Sequence, residues 1–490
     1  MKLWKRILLG ILGLVLLVVV AVLVRAAYAF RDRNPGYLVD LRVAPATPSA
    51  FSVGFAKVKI NPDLSDPNNP VWIAGFGNNK RATAIHDDLW AVAFVIDDGR
   101  TRIGIVSLDA IGFFHDDAIA VRKLFNQGAK DSYTIVCSTH NHSTPDLMGL
   151  WGPSHLRTGV SSAYRQLVIQ NAAQALKDAA AKLEPAAVRF HHIPTAPDGL
   201  VTDSRKPVVF DPDLRVMHFV RTGTTNTIGS VVTWGDHPET IWSKNTELTA
   251  DFCGYLRDEL EKTFGGIHCY VNGAIGGLMT TSPSVTVTDP ETGEQYKEPT
   301  HDKARALGRQ LFVRVKPALL SSSTEPVSEL AIGLRARSIE IPLENKLFLL
   351  APILGVLDRG HSRWKHLRTE VALLTLGDAS IACVPGEIYP EIVNGGIETP
   401  PGADYPVPPV EVPPIRDFMP GKHKFIFGLA NDEIGYIIPR SEWDQKPPHL
   451  YDSKKGVYGE INSVGPAAAE IIHRELKSIA AEIQHETTPR

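Results

Sequence analysis

Hydrophobic residues along this chain keep three different rhythms, and each predicts a different element. The first is continuous. Ile7 to Val24 is eighteen residues of Leu, Ile, Val, Ala and Gly with no charge, preceded by Lys2, Lys5 and Arg6. That length approaches the ~20 residues needed to cross a bilayer, and the basic flank predicts a cytoplasmic N-terminus. The second rhythm is the short apolar run bounded by turn residues. Ala91–Ile96, Ile103–Leu108, Thr134–Cys137, Val231–Trp234 and Ser380–Cys383 read as strands, with a hairpin turn at Asp97-Asp98-Gly99 between the first two. The third is recurrence at three and four residues, which predicts helices over Ser162–Lys182, Asp251–Thr263, His301–Leu319 and Pro466–Ile483. Strands interleaved with helices predict an α/β fold in which mixed β-sheets are sandwiched by helices in one large domain.

The remaining stretches set the boundaries. Residues 1–30 read as a membrane anchor or signal sequence, 31–50 as a linker and 51–490 as the folded domain. Ala27-Tyr28-Ala29 faintly resembles a cleavage site, but the apolar run exceeds the length usual in a cleaved signal, which favours an anchor. Either way the domain is expected outside the cytoplasm, periplasmic or extracellular. Thr280–His301 reads as a polar, turn-rich loop. Thr399–Gly421 is another, because seven prolines between Pro400 and Pro414 forbid a continuous helix or central strand. Lys346–Leu357 is unusually apolar and reads as a core helix or, more sharply, as a lipid-facing patch.

Composition adds little beyond exclusions. The chain has 490 residues, 51 basic and 54 acidic, a net charge of −3. So even a balance excludes a nucleic-acid footprint. Four scattered cysteines, none in a Cys-x-x-Cys pair, read as small buried apolar side chains.

Candidate chemistry sits where strands stop. The run ending at Cys137 gives way to Ser138-Thr139-His140-Asn141-His142-Ser143. Residues i and i+2 of an extended backbone point the same way, so both imidazoles can enter one cleft, and neutral imidazole is the commonest transition-metal ligand. With 17 histidines in the chain, a His-x-His is expected about 0.6 times from composition alone. The motif therefore needs company. It finds it at Gly235-Asp236-His237-Pro238 and at Val384-Pro385-Gly386-Glu387, both following apolar strands. Three strand ends carrying His, His and Glu make a plausible cleft for a catalytic zinc.

These segments, taken in order, resemble the neutral (alkaline, non-lysosomal) ceramidase family from about residue 51 to 480. Further points of resemblance are Ile85-His86-Asp87-Asp88-Leu89-Trp90, Ser107-Leu108-Asp109, Val271-Asn272-Gly273-Ala274-Ile275-Gly276-Gly277 and Gly428-Leu429-Ala430-Asn431-Asp432. The resemblance implies a membrane-anchored hydrolase that cleaves the amide of an N-acyl lipid such as ceramide by attack of a zinc-activated water. It implies Zn2+ ligands at His140, His237, Glu387 and Tyr436. His142 would be a proton shuttle or substrate contact, Arg205 would line the site, and Asp109 and His86 would orient ligands or serve structure. The implied partners are the lipid substrate and the membrane.

Three departures qualify the match, one being the family's glycine-rich turn after the two histidines, which here reads Ser143-Thr144-Pro145-Asp146. Met279 falls where the family carries a serine important to activity, with Thr280 one residue on. The family's C-terminal immunoglobulin-like domain is not expected, since the chain stops after its last helix. The alternatives are a catalytically altered or inactive ceramidase-like binding protein, which Met279 favours, and a barrel-type metal amidohydrolase, which the terminal Glu387 disfavours.

Overall fold

The strands predicted from the apolar runs assemble into two sheets packed face to face in the computed structural model, which describes residues 3–125, 131–277, 279–322, 324–454 and 458–487. The larger sheet has nine strands. Its main path runs Ile267–Asn272, Thr227–Trp234, Leu214–Arg221, Glu184–Ile193, Ser49–Lys59, Trp90–Asp97, Thr101–Leu108, Asp131–Ser138. The two outermost pairs are parallel and the inner ones antiparallel. The five-stranded sheet runs Asp40–Val43, Ile332–Pro342, His366–Leu376, Ala379–Cys383, His423–Phe427. Its last pair is parallel. The hairpin at Asp97–Thr101 forms because Gly99 takes φ +84° and the Asp98 carboxylate accepts the Arg100 and Thr101 N–H groups.

Apolar faces explain the layering. Phe55, Phe94 and Ile105 of the large sheet meet Leu334, Leu374 and Phe427 of the small one in a continuous core. The outer faces are covered by helices: Ser162–Ala181 over Ala91 and Ala93, Asp251–Phe264 and His301–Leu320 over Val232 and Tyr270, and Ala468–Thr487 over Leu373 and Ala382. Each fully buried large side chain contributes ~1.5–3 kcal/mol. The result is helices outside two mixed sheets, as the rhythm of the sequence predicts. All four cysteines are buried thiols.

The N-terminal segment differs from the expectation of a free linker. A helix runs Leu3–Ala29 with its apolar side chains exposed, and among the described residues it is the one helix long and apolar enough to cross a membrane. Residues 31–50 then lie on the domain. Asp40–Val43 pairs antiparallel with Leu334–Arg337, and Val39 and Val43 are buried in the core between the sheets. Prolines at 45 and 48 disguise this strand, but its alternating valines and leucine complete the edge of the small sheet.

Candidate functional site

Strands from both sheets end at one pole, where the sequence places its candidate ligands. After Asp131–Ser138 the chain turns rather than continuing extended. His140 has φ +61°, so the His-x-His pair reaches one cleft through a left-handed turn and not through strand alternation. The turn is fixed by its neighbour: Thr139 N–H donates to Leu108 O and Asn141 N–H to Ala110 O. Asp109 anchors that neighbouring segment through paired bonds of 3.0 and 2.7 Å from Arg257. The two-residue strand Glu387–Ile388 runs parallel to Tyr436–Ile437 and puts Glu387 directly opposite Tyr436.

Four buried side chains therefore converge. His140 Nε2 lies 3.4 Å and His237 Nε2 3.0 Å from the same oxygen, Glu387 Oε2. The Tyr436 hydroxyl is 3.4 Å from His237 Nε2. The tautomers follow from the far side of each ring. His140 Nδ1 is 2.6 Å from Ile111 O and His237 Nδ1 is 2.6 Å from Met279 O. A carbonyl only accepts, so both Nδ1 atoms carry a proton and both Nε2 atoms face the cage. Bare nitrogen lone pairs pointing at a carboxylate oxygen repel unless a proton or a cation lies between them. The donor set of two imidazoles, a carboxylate and a phenol suits a divalent transition metal.

Electrostatics agree with this arrangement. Burial drives His140 down to about 3, so it is a neutral donor. Burial also opposes a charge on His237, but the hydrogen bond and charge of Glu387, with Glu239 nearby, outweigh it and raise the imidazole to about 9. Burial and Glu387 push the Tyr436 phenol well above its usual range. Without a cation, His237 thus holds a proton at neutral pH, and that proton must leave when an ion binds. Divalent-ion uptake at pH 7 should release about one proton from His237, and apparent affinity should strengthen as pH rises toward 9. Calorimetry in buffers of different ionisation enthalpy measures this; proton-independent uptake would contradict it.

His142 borders the same cleft, with one ring nitrogen each of His140, His142 and His237 lying within 4.8 Å of one another. Its ring centroid is 4.9 Å from that of His140 and 5.7 Å from that of His237. Its Nδ1 lies 3.0 Å from Glu239 Oε2. Burial raises the Glu239 carboxyl, but His142 and His237 more than compensate and hold it below its usual range. Phe76 packs edge-on against the imidazole at 5.2 Å. Gly75 has φ +100°, and a Cβ there would lie 2.6 Å from His142 ring atoms. Gly75→Ala is therefore expected to displace His142 and lower turnover by about 10–100-fold with metal content unchanged, as measured by kinetics and elemental analysis on the same preparation.

The structure places the other sequence candidates as follows. Arg205 stands one layer behind, its guanidinium 3.0 Å from both Glu391 and Glu442 and over the ring of Tyr389. Tyr389 in turn packs against Tyr436 at 6.0 Å, so Arg205 supports the ligand wall, its two terminal nitrogens each held by a carboxylate. His86 lies in a separate surface group, stacked on His301 at 3.6 Å. Met279 points away from the cleft into the apolar cluster with Trp234 and Phe252; only its carbonyl reaches His237. Thr280, on the opposite face of the same short strand, stands beside Glu239. Glu239 and Gly75 were not singled out from sequence. His237-Pro238-Glu239 repeats the spacing of His140-Asn141-His142, and that is the one signal that could have found Glu239.

Above the cage an apolar cavity is lined by Phe114, Met148, Trp151, Phe348 and Leu357, with Glu433 and Arg359 on its wall. Burial first, then Glu387, pushes the Glu433 carboxyl well above its usual range.

No family model matches the chain, and no curated protein sequence matches it. Among solved structures it is similar to the neutral ceramidase from Pseudomonas aeruginosa, with a TM-score of 0.67, 16% identity, and coverage of 90% of this chain and 76% of that one. It is equally similar to a ceramidase complexed with C2, at TM-score 0.67 and 16% identity, covering 89% of this chain and 76% of that one. The chain has the neutral ceramidase fold.

Proposed function

We propose that this chain is a zinc-dependent amide hydrolase acting on an N-acyl lipid such as ceramide, anchored to a membrane by its N-terminal helix with the catalytic domain outside the cytoplasm. One observation carries the reading: two imidazoles with carbonyl-locked Nδ1–H groups aim their Nε2 atoms at Glu387 and Tyr436 on the floor of an apolar cavity. The ceramidase fold of the neighbours supports the amide and lipid assignment.

His140, His237, Glu387 and Tyr436 would hold the zinc. A zinc ion there supplies Lewis acidity that lowers the pKa of water and stabilises charge on the amide oxygen. The chain's own residues do the rest. Glu239 Oε2, 3.0 Å from His142 Nδ1, would orient that imidazole, leaving Nε2 to take a proton from the attacking water and return it to the amine as the C–N bond breaks. The products are a carboxylic acid, which keeps the second proton of the water, and an amine, so the proton balance closes. The apolar cavity receives the hydrocarbon portion and excludes water from the reacting centre. Met279 does not favour the binding-protein alternative, because its thioether lies in the core and leaves the cleft clear.

The test is turnover of N-acyl amides by the purified full chain before chelation, after chelation and after zinc is restored. Loss and recovery in parallel with metal content are expected. Hydrolysis indifferent to chelator would overturn the reading.

A further inference from the structure

Resting on the reading of Leu3–Ala29 as an uncleaved membrane anchor, we propose that the Lys346–Leu354 helix lies in the bilayer interface and forms the portal through which a lipid slides from the membrane into the cavity. The helix is apolar on every side, a pattern found in protein cores or against lipid. It is not a core helix here, since Pro352 is its only buried residue. Leu347, Leu350 and Leu354 are 60%, 50% and 45% exposed. Their spacing of three and four residues makes them one outward stripe. On the inner side Phe348 and Pro352 line the cavity that ends at the imidazole cage. A single helix thickness therefore separates the outside from the cavity.

Arg25 fixes the depth of this helix. It is the first charged residue after the apolar run, and its guanidinium donates to Ile353 O at 2.9 Å and Pro352 O at 3.1 Å. A cation on the last carbonyls of a helix satisfies them and complements the dipole. The same contact pins the end of the stripe to the level where the span leaves hydrocarbon. There is no slack in the connection, because Ala29 and Phe30 are already buried in the domain. Aromatic side chains mark the same level, as they do at membrane surfaces. Trp364 is 55% exposed and packs on Phe30 at 4.5 Å, and Tyr28 is capped by Arg31 at 3.7 Å. The occupant of the leucine stripe is thus the lipid of the leaflet that the span enters beside it. This deepens the functional reading, since the cavity fills from the membrane plane and not from solvent.

Full-length protein in phosphatidylcholine vesicles tests the proposal. The native cysteines are buried, so Leu350→Cys can be labelled with an environment-sensitive fluorophore and challenged with spin-labelled lipid. Matched probes go at Val24→Cys, at the end of the span, and at Thr224→Cys, on a turn at the strand ends opposite the site. Quenching at positions 24 and 350 but not 224 is expected. Quenching at 24 alone would overturn the proposal, and so would quenching at none, which would also remove the anchor. A second readout uses Leu350→Asp, an exposed position that folding does not require. The ratio of hydrolysis of vesicle-embedded to short-chain soluble N-acyl amide should fall about tenfold, and an unchanged ratio would count against the portal. Quenching at 350 in a protein that hydrolyses no amide would sustain the portal and sink only the enzymatic reading.

Discussion

His237→Ala is expected to strip the divalent ion from the chain and to lower N-acyl amide hydrolysis by on the order of 10³-fold or more, beyond the ~10–100-fold typical of groups behind a ligand. His237 is the hub of the cage. Its Nε2 is 3.0 Å from Glu387 and 3.4 Å from the Tyr436 hydroxyl, while its Nδ1 is committed to Met279 O. Alanine removes a nitrogen donor and leaves the Glu387 carboxylate, 5% exposed, without its nearest partner. His142→Ala makes the contrast, because in the proposed mechanism it removes a proton carrier and keeps all four donors. Elemental analysis and kinetics on both variants check this. Metal retained in His237→Ala would place the ion elsewhere.

Met279→Ser is expected to destabilise the protein by about 3–5 kcal/mol, combining a buried methionine-sized cavity with a stranded hydroxyl. For a chain of 490 residues that is a fall in Tm of about 3–5 °C, readable by calorimetry. The sequence points the other way: a serine restored at the family position would bring back a catalytic hydroxyl. The side-chain direction decides. Met279 is fully buried among Trp234, Phe252 and Leu256, so a hydroxyl there meets apolar atoms and no substrate. Activity gained without loss of stability would mean that the side chain turns into the cleft. Thr280 is the residue of this strand that neighbours Glu239, and its hydroxyl is the one available to the site.

Strand ends made most of the cage legible in the sequence. His140, His237 and Glu387 each follow an apolar run that stops abruptly, and parallel strands bring such ends to one pole. Tyr436 escaped that logic because its strand is two residues long and its partner, Glu387, lies 49 residues earlier in the chain. Only the resemblance to a known family pointed to it. The positive φ of His140 was hidden because a turn and an extended strand can present the same two rings. Two of the three eleven-residue strands, Ile332–Pro342 and His366–Leu376, were equally obscure. Buried charges interrupt their apolar pattern, and these are tolerable only through partners distant in sequence: Glu370 is held by Arg122 and by the Tyr133 hydroxyl. The apolar 346–357 stretch carried two readings in the sequence, core helix and lipid-facing patch. Exposure of Leu347, Leu350 and Leu354 settles against the core.

X-ray absorption at the zinc edge of the purified full chain tests the central claim most directly. The account predicts one zinc per chain with two imidazole nitrogens and oxygen donors at about 2.0–2.2 Å, and loss of an imidazole from that shell in His140→Ala. A protein that holds no metal after purification in zinc, or a shell unchanged by His140→Ala, would contradict it.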